Sequence, residues 1–113
     1  MKIINLTQKT IVSTRAKIAN SFFSRLKGLL GKEEFSPEDA LVIGGCQAIH
    51  MFFMKFAIDV VFVDQKNKVV GLIENIKPFR MSPFFIRARR AVELPVGSIK
   101  KSCTCLGDFL EIE

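Results

Sequence analysis

Short apolar runs separated by polar turn residues make up most of the chain. Runs rich in Ile, Val, Leu and Thr that are bounded by such residues are typical of β-strands. Each run is short enough to form a single strand. The pattern predicts strands over residues 2–6, 10–16, 40–43, 58–64, 69–76, 91–94 and 109–112.

The clearest pair of strands lies at the centre of the chain. Residues 58–64 form a β-branched run, and residues 69–76 form a second apolar run. The residues between them, Gln65 to Lys68, are polar and suit a tight connection. This order predicts a central hairpin, and the two N-terminal runs predict an opening hairpin in the same way.

Helical periodicity is present in one segment of the N-terminal half. Asn20 and Ser21 suit the start of a helix, and Gly31 suits the left-handed residue that follows its end. Between them the apolar residues recur at the spacing of one helix face, and they are Phe22, Leu26, Leu29 and Leu30. The sequence therefore predicts one amphipathic helix here and a single helical turn over Ser98–Ser102.

Together these elements predict a mainly β fold. About seven short strands at close spacing are typical of a compact antiparallel sandwich or barrel-like domain. The 113 residues, 49% of them hydrophobic, suffice for one core, and no internal repeat or linker divides them. We therefore expect a single domain over residues 1–113.

Charge and cysteine content indicate the surroundings of the protein. The 17 Lys and Arg residues outnumber the 11 Asp and Glu residues, and the net charge of +6 favours anionic partners. No segment has the pattern of a secretory signal, and the most apolar stretch, residues 48–63, is interrupted by Lys55 and Asp59. We expect a cytoplasmic protein with reduced thiols and no membrane partner.

Several spaced motifs resemble those of one known family. They are Arg25-x-x-Gly28-Leu29-Leu30-Gly31, Cys46-x-x-Ile49-His50-Met51, Ile58-Asp59-Val60-Val61-Phe62-Val63-Asp64, Lys77-Pro78-Phe79-Arg80, Arg89-x-Ala91-Val92-Glu93-Leu94-Pro95-x-Gly97 and Gly107-Asp108. In order and spacing they are similar to the domain of unknown function 192 family of bacteria and archaea. The resemblance implies a compact, mostly β domain and supplies no established activity. The chain departs from the family pattern at Phe52, Phe53 and Ala57 and over residues 103–106.

Two carboxylates, Asp59 and Glu93, lie within apolar strands. A carboxylate in such a strand needs a charged or hydrogen-bonding partner, because burying it alone is very costly. The cations that could serve are Arg25, His50 and Lys55. We predict that these five residues form a polar site for a small polar or anionic ligand. Separate structural ion pairs or turn-stabilising hydrogen bonds are the alternative.

His50 also suits acid–base chemistry, because histidine titrates near neutral pH. A hydrolytic enzyme that uses His50 with a carboxylate is therefore one alternative. Cys46, Cys103 and Cys105 lack the spacing of paired zinc ligands, and Cys46 with His50 lacks a recognisable oxyanion hole. We therefore favour a small binding or accessory domain over an enzyme and predict no metal and no cofactor.

The segment over residues 77–90 combines basic and aromatic residues, and its prolines predict a loop. Basic side chains can bind phosphates while aromatic faces stack on unpaired bases. A second alternative is therefore nucleic-acid contact through Arg80, Arg87, Arg89 and Arg90. The competing interpretation is that the phenylalanines anchor the loop on the core and the cations are simply solvated.

Overall fold

The computed structural model describes residues 1–19, 35–52 and 54–113. These residues form eight strands and one short helix, α1 (Ser98–Ser102). The strands are β1 (Ile3–Asn5), β2 (Thr10–Ser13), β3 (Arg15–Ala19), β4 (Asp39–Gly44), β5 (Ile58–Val63), β6 (Val69–Ile76), β7 (Arg90–Pro95) and β8 (Leu110–Ile112).

The strands form two sheets. The smaller sheet has the order β2-β1-β8, and both of its pairs are antiparallel. The larger sheet has the order β3-β4-β7-β5-β6, and its pairs are antiparallel except for the parallel pair of β3 and β4. The mainly β class is thus confirmed, and one parallel pair interrupts the antiparallel arrangement that the sequence predicts.

The larger sheet is covered on both faces. Val60 and Phe62 of β5 point to one face, here called the loop face, which packs against the connection over residues 45–57. Val61 and Val63 point to the other, here called the sandwich face, which packs against the smaller sheet and α1. Successive side chains of a strand alternate between faces, and every residue of β5 is buried. The core therefore consists of two apolar layers with this sheet between them.

Both predicted hairpins and the helical turn over Ser98–Ser102 are confirmed. The run over residues 10–16 is not one strand, because it divides at Thr14 into β2 and β3, which belong to different sheets. Ser13 Oγ and the Arg15 N–H both donate hydrogen bonds to the Glu38 carbonyl, at 2.7 and 3.0 Å. These bonds fix the point at which the chain leaves the smaller sheet.

The predicted amphipathic helix, from Asn20 to Gly31, lies outside the described residues. Across the residues that are described, no helix is both long enough and apolar enough to span a bilayer.

Candidate functional site

Asp59 is fully buried on the sandwich face of β5. Its Oδ2 accepts hydrogen bonds from the N–H groups of Gly97, at 3.1 Å, and Ile99, at 3.0 Å. Gly97 has a left-handed backbone and immediately precedes α1, which has no capping hydrogen bond from its own side chains. Asp59 therefore caps α1 from a neighbouring strand, satisfying amides that the helix itself leaves unpaired.

The other oxygen of Asp59 binds an irregular part of β6. Its Oδ1 accepts a hydrogen bond from the Asn75 N–H at 2.9 Å. Asn75 has a φ of 56°, and the register between β5 and β6 shifts between Ile58 and Val60. A bulge of this kind removes backbone groups from the ladder. The Asp59 carboxylate satisfies one of them, so it joins β6 and α1 to β5.

Glu93 is also fully buried, but on the opposite face of the sheet. In the antiparallel pair of β5 and β7, Asp59 lies opposite Leu94 and Val60 lies opposite Glu93. Because side chains alternate along a strand, Glu93 shares the loop face with Val60, whereas Asp59 shares the sandwich face with Leu94. The sheet therefore separates the two carboxylates.

His50 lies on the connection that covers the loop face. Its ring stacks on the ring of Phe52, with 5.2 Å between centroids and 29° between planes. Its backbone forms an isolated antiparallel bridge with Met81, which belongs to the loop over residues 77–90. His50 is thus beside this loop and on the other side of the sheet from Asp59, whose carboxylate cannot orient the imidazole for hydrolysis.

The remaining two predicted ligand residues do not complete a site with Asp59. Lys55 is exposed. Among the described residues the one ion pair joins Arg15 to Asp39, so Lys55 is not paired with Asp59. Arg25 lies outside the described residues. The structure therefore does not bring Asp59, Glu93 and Lys55 together as one polar site, and it gives Asp59 a structural role.

The sequence analysis missed a buried polar cluster, which consists of Asn5, Ser102, Thr104 and Asp108. Asn5 Nδ2 donates to Thr104 Oγ1 at 3.1 Å and to Asp108 Oδ2 at 2.9 Å, and the Ser102 and Thr104 hydroxyls are 2.7 Å apart. These groups satisfy one another and tie β1 to the turn that precedes β8. Asn5 in the apolar run of β1 was the available signal for such a cluster.

Hydrogen bonding sets the titration of Asp108. Burial raises the pKa of its carboxyl, but hydrogen bonds from Asn5, the Cys105 N–H and Gln8 outweigh this effect and hold the pKa below the usual 3.8. A carboxyl whose pKa is lower in the folded than in the unfolded state stabilises the folded protein at pH values above the unfolded-state pKa. This contribution is lost as the pH falls through the lower, folded pKa.

Asp108→Asn is therefore expected to lower the free energy of unfolding by roughly 1–2 kcal/mol at neutral pH, because the amide replaces one acceptor oxygen with a donor. The difference from the unmodified protein should shrink as the pH falls below about 3.8. Urea unfolding at a series of pH values measures this difference in the free energy of unfolding. Glu111→Gln, at an exposed position of β8, is the control. A difference that stays constant with pH would contradict this account.

The loop over residues 77–90 is fixed to the body of the protein by backbone hydrogen bonds. Four of them, each 2.8–2.9 Å long, join it to the connection over residues 47–51. They run from Phe79 N to Met51 O, from Met51 N to Arg80 O, from Ser82 N to Ile49 O and from Phe85 N to Gln47 O. The side chain of Gln47 adds a bond to the Ile86 carbonyl at 2.7 Å. The loop therefore has a defined conformation.

One aromatic ring of the loop reaches the core. The Phe85 ring lies 4.5 Å from the ring of Phe62, measured between centroids. Gly71 of β6 leaves room for it, because a Cβ atom at that position would lie 2.6 Å from the Phe85 ring. Phe85 is thus the aromatic anchor of the loop.

The other large apolar side chains of the loop point outward. Phe79 is 74% exposed, Met81 68%, Phe84 64% and Ile86 75%. The interpretation that the phenylalanines anchor the loop is therefore correct for Phe85 and wrong for Phe79 and Phe84.

The cations of the loop differ in availability. Arg80, Arg87 and Arg89 are exposed, whereas Arg90 is half-buried and donates a hydrogen bond to the Asn67 side chain. None of the three exposed arginines is paired with a carboxylate among residues 1–19, 35–52 and 54–113. Residues 75–92 contain no Asp or Glu. Arg80, Arg87 and Arg89 are thus free to contact an anionic partner.

A cleft of about 660 Å³ lies between this loop, the start of β6 and the turn before β8. Its apolar wall includes Phe84, Phe85, Ile86 and Leu106, and its cations are Lys68 and Arg87. Asp64 is also at the cleft, where its Oδ1 accepts hydrogen bonds from the N–H groups of Lys66 and Lys68, both at 2.9 Å. The cleft therefore combines an apolar wall with basic side chains.

Residues 3–112 match the model of the domain of unknown function 192 family, described as Uncharacterized ACR. A UPF0127 protein of Thermococcus sibiricus is 32% identical over 115 residues, which cover 98% of this chain and 74% of the relative. A UPF0127 protein of Pyrococcus horikoshii is 35% identical over 101 residues, which cover 84% of each chain.

Two solved structures share the fold. One is a protein of unknown function from Novosphingobium aromaticivorans, with a TM-score of 0.80 and 17% sequence identity. The match covers 98% of this chain and 82% of that protein's chain. The other is named as a candidate transcription regulator of Sinorhizobium meliloti, with a TM-score of 0.77 and 18% sequence identity. The match covers 97% of this chain and 89% of that protein's chain. At such identities the likeness shows the fold alone.

Proposed function

Because this chain belongs to the domain of unknown function 192 family, whose description supplies no activity, we propose a function from its geometry: it is a binding domain that contacts single-stranded nucleic acid through the loop over residues 77–90. The observation that carries the proposal is the outward position of Phe79 and Phe84 on a loop that also exposes Arg80, Arg87 and Arg89. Asp59 lends no support to the hydrolytic alternative, because its carboxylate is already bonded to backbone amides.

The exposure of the apolar side chains is the first step of the argument. Single exposed apolar residues are ordinary, but a contiguous group of them on a protein surface marks an interaction site. Phe79, Met81, Phe84 and Ile86 are four exposed apolar side chains within eight residues of one loop, and Phe84 and Ile86 line the same cleft. Because hydrogen bonds hold the loop in place, a partner would meet these side chains already positioned, at a small cost in conformational entropy.

Charge selects an anionic partner. Lys77, Arg80, Arg87 and Arg89 are exposed on the same loop, which holds no acidic residue. Basic side chains attract phosphates over long distances, and binding releases the counterions that phosphates hold. The loop therefore favours a partner with several negative charges in a row.

The aromatic rings narrow the class of anion. Phe84 lies on the wall of the cleft that also presents Lys68 and Arg87. Stacking on an aromatic ring needs a base that is not paired within a duplex, and each stacked base contributes substantially to affinity whatever its identity. A single-stranded nucleic acid supplies both phosphates and free bases, which matches the two chemical features of this surface.

One further consideration supports the proposal. Cys46, Cys103 and Cys105 form no disulfide, as expected in the reducing cytoplasm, where nucleic-acid partners are available. We include a cytoplasmic location in the proposal on this basis.

Fluorescence anisotropy with labelled oligouridine and oligodeoxythymidine tests the proposal. We expect saturable binding at roughly 50 mM salt that weakens steeply by about 200 mM, because phosphate contacts release counterions. Phe84→Ala should weaken binding by roughly tenfold through the loss of one stacked base. Arg87→Ala should lower the salt slope by about one, because one phosphate contact is removed.

Two exposed positions far from the loop provide matched controls. Ile11→Ala removes a large side chain, 60% exposed, from β2 of the smaller sheet, and Lys17→Ala removes an exposed cation from β3. β3 is at the edge of the larger sheet opposite β6. The controls should bind as the unmodified protein does. Absence of binding at low salt, equal loss in the controls, or Phe84-dependent binding to anionic vesicles alone would overturn the proposal.

A further inference from the structure

The turn that follows α1 presents two cysteines separated by one residue. Cys103 and Cys105 are both exposed, whereas Thr104 between them is buried. Cys103 ends α1 in a left-handed conformation, with φ 58°, and its N–H donates to the Lys100 carbonyl at 3.1 Å. The two thiols therefore flank a residue that points inward, and both are accessible from solvent.

The buried polar cluster fixes this turn from beneath. Thr104 Oγ1 accepts a hydrogen bond from Asn5 and lies 2.7 Å from the Ser102 hydroxyl, and the Cys105 N–H donates to Asp108 at 2.9 Å. Ser102, Thr104 and the backbone of Cys105 are thus bound to the interior. The positions of the two thiols are set by the fold rather than by a free segment.

The two sulfur atoms lie on the same part of the turn. Cys105 Sγ is 3.4 Å from the carbonyl oxygen of Cys103, so its side chain folds back over residue 103. Cys103 is exposed and only one residue separates it from Cys105, so both thiols are available to one ion at this turn. Cys46 belongs to a different region, where its Sγ donates to the Ala48 carbonyl at 3.1 Å.

We propose that Cys103 and Cys105 form a two-coordinate site for a soft monovalent cation, with Cu(I) as the ion that it fits. Thiolates select soft ions such as Cu(I). No three His, Cys, Asp or Glu side chains of the described residues are grouped as a metal site, so the four ligands of structural zinc are not present there. Cu(I), by contrast, is satisfied by two thiolates in a linear arrangement.

The charge balance of the site is also favourable. Binding converts two thiols and one Cu⁺ into a bis-thiolate complex of charge −1 and releases two protons to solvent, with no change in oxidation state. Lys100 and Lys101, both exposed in the last turn of α1, are the nearest cations along the chain and offset this charge. The site is independent of the nucleic-acid surface proposed above, so either proposal can fail alone.

Competition of the reduced protein with bicinchoninate for Cu(I), under anaerobic conditions, tests the site. We expect one Cu(I) per chain, and X-ray absorption should show two sulfur ligands. Cys103→Ser and Cys105→Ser should each lower the affinity by about two orders of magnitude, because one thiolate cannot chelate. Both side chains are exposed, so the variants should unfold at the same urea concentration as the unmodified protein.

Cys46→Ser is the matched control, since it removes the remaining thiol and should leave Cu(I) affinity unchanged. The proposal is overturned if bicinchoninate retains all the copper, if the Cys46→Ser variant loses affinity, or if copper binds only between two chains. A stable disulfide between Cys103 and Cys105 in the protein isolated under reducing conditions would also overturn it.

Discussion

Replacing Asp59 with alanine is expected to lower the free energy of unfolding by about 3 kcal/mol or more. The change removes a fully buried acceptor from three N–H groups, those of Asn75, Gly97 and Ile99, and the Ile99 group is itself buried. Each unsatisfied buried donor costs roughly 1–3 kcal/mol. A domain of this size has a total stability of only about 5–15 kcal/mol, so the variant should be close to its limit. Urea unfolding followed by circular dichroism measures the loss.

A second aspartate in the same hairpin provides the control for this experiment. Asp64 also accepts hydrogen bonds from two backbone N–H groups, but in the exposed turn between β5 and β6. Water can replace these bonds, so Asp64→Ala should cost about 1 kcal/mol. Asp59→Asn, which keeps the shape and one acceptor oxygen, should fall between the two alanine variants. Equal losses for Asp59→Ala and Asp64→Ala would show that burial of the Asp59 bonds is not what matters.

Replacing Phe62 with alanine is expected to cost about 3–5 kcal/mol, the range for truncating a buried aromatic residue. Phe62 is completely buried on the loop face, and Phe85 of the loop packs against its ring. The cavity should therefore release the anchor of the loop as well as weaken the core. Amide hydrogen exchange reports this second effect, because the Phe85 and Ala88 N–H groups are both hydrogen-bonded, at 2.8 and 3.0 Å.

Val61 offers a comparison in the same strand. It is also completely buried, but it points to the sandwich face, away from the loop. Val61→Ala should destabilise the protein as a whole. In this variant the Phe85 and Ala88 amides should exchange only when the whole protein unfolds, without separate opening of the loop. Phe62→Leu, which conserves most of the volume, should cost less than about 1.5 kcal/mol and still accelerate exchange in the loop. Unchanged loop exchange in both Phe62 variants would mean that Phe85 does not need this contact.

The strands were predictable because their chemistry is local. The β-branched runs over residues 58–64 and 69–76, with a polar turn between them, define a hairpin whatever surrounds it. Ser98–Ser102 is bounded by Pro95 and Gly97 before it, and the helix is observed over those residues. The division of residues 10–16 was not predictable, because it depends on Glu38, which is distant in the sequence.

The separation of Asp59 and Glu93 onto opposite faces of the sheet was not predictable, because it depends on strand register. Asp59 and Glu93 both interrupt apolar strands, but every residue of β5 is buried, so no alternation in the sequence shows which face Asp59 occupies. The pairing of β5 with β7 decides it, and a shift of one residue would have placed both carboxylates on one face. Contacts between strands so far apart in sequence are not encoded in either strand alone.

The outward direction of Phe79 and Phe84 was also not predictable from the sequence. A loop interrupted by Pro78 and Pro83 has no regular period, so its apolar residues carry no information about direction. Phe84 and Phe85 are neighbours in sequence, yet one is 64% exposed and the other packs on Phe62. The space above Gly71 admits only one of them.

The smaller sheet imposes an order on biosynthesis. β1 pairs with β8, so that Ile3 lies opposite Ile112, and Asn5 bonds to Thr104 and Asp108. During translation β1 is made long before β8, so this sheet cannot close until residue 112 has left the ribosome. Until then the apolar side of β1 lacks this partner strand, and an incomplete chain of this kind is prone to aggregate.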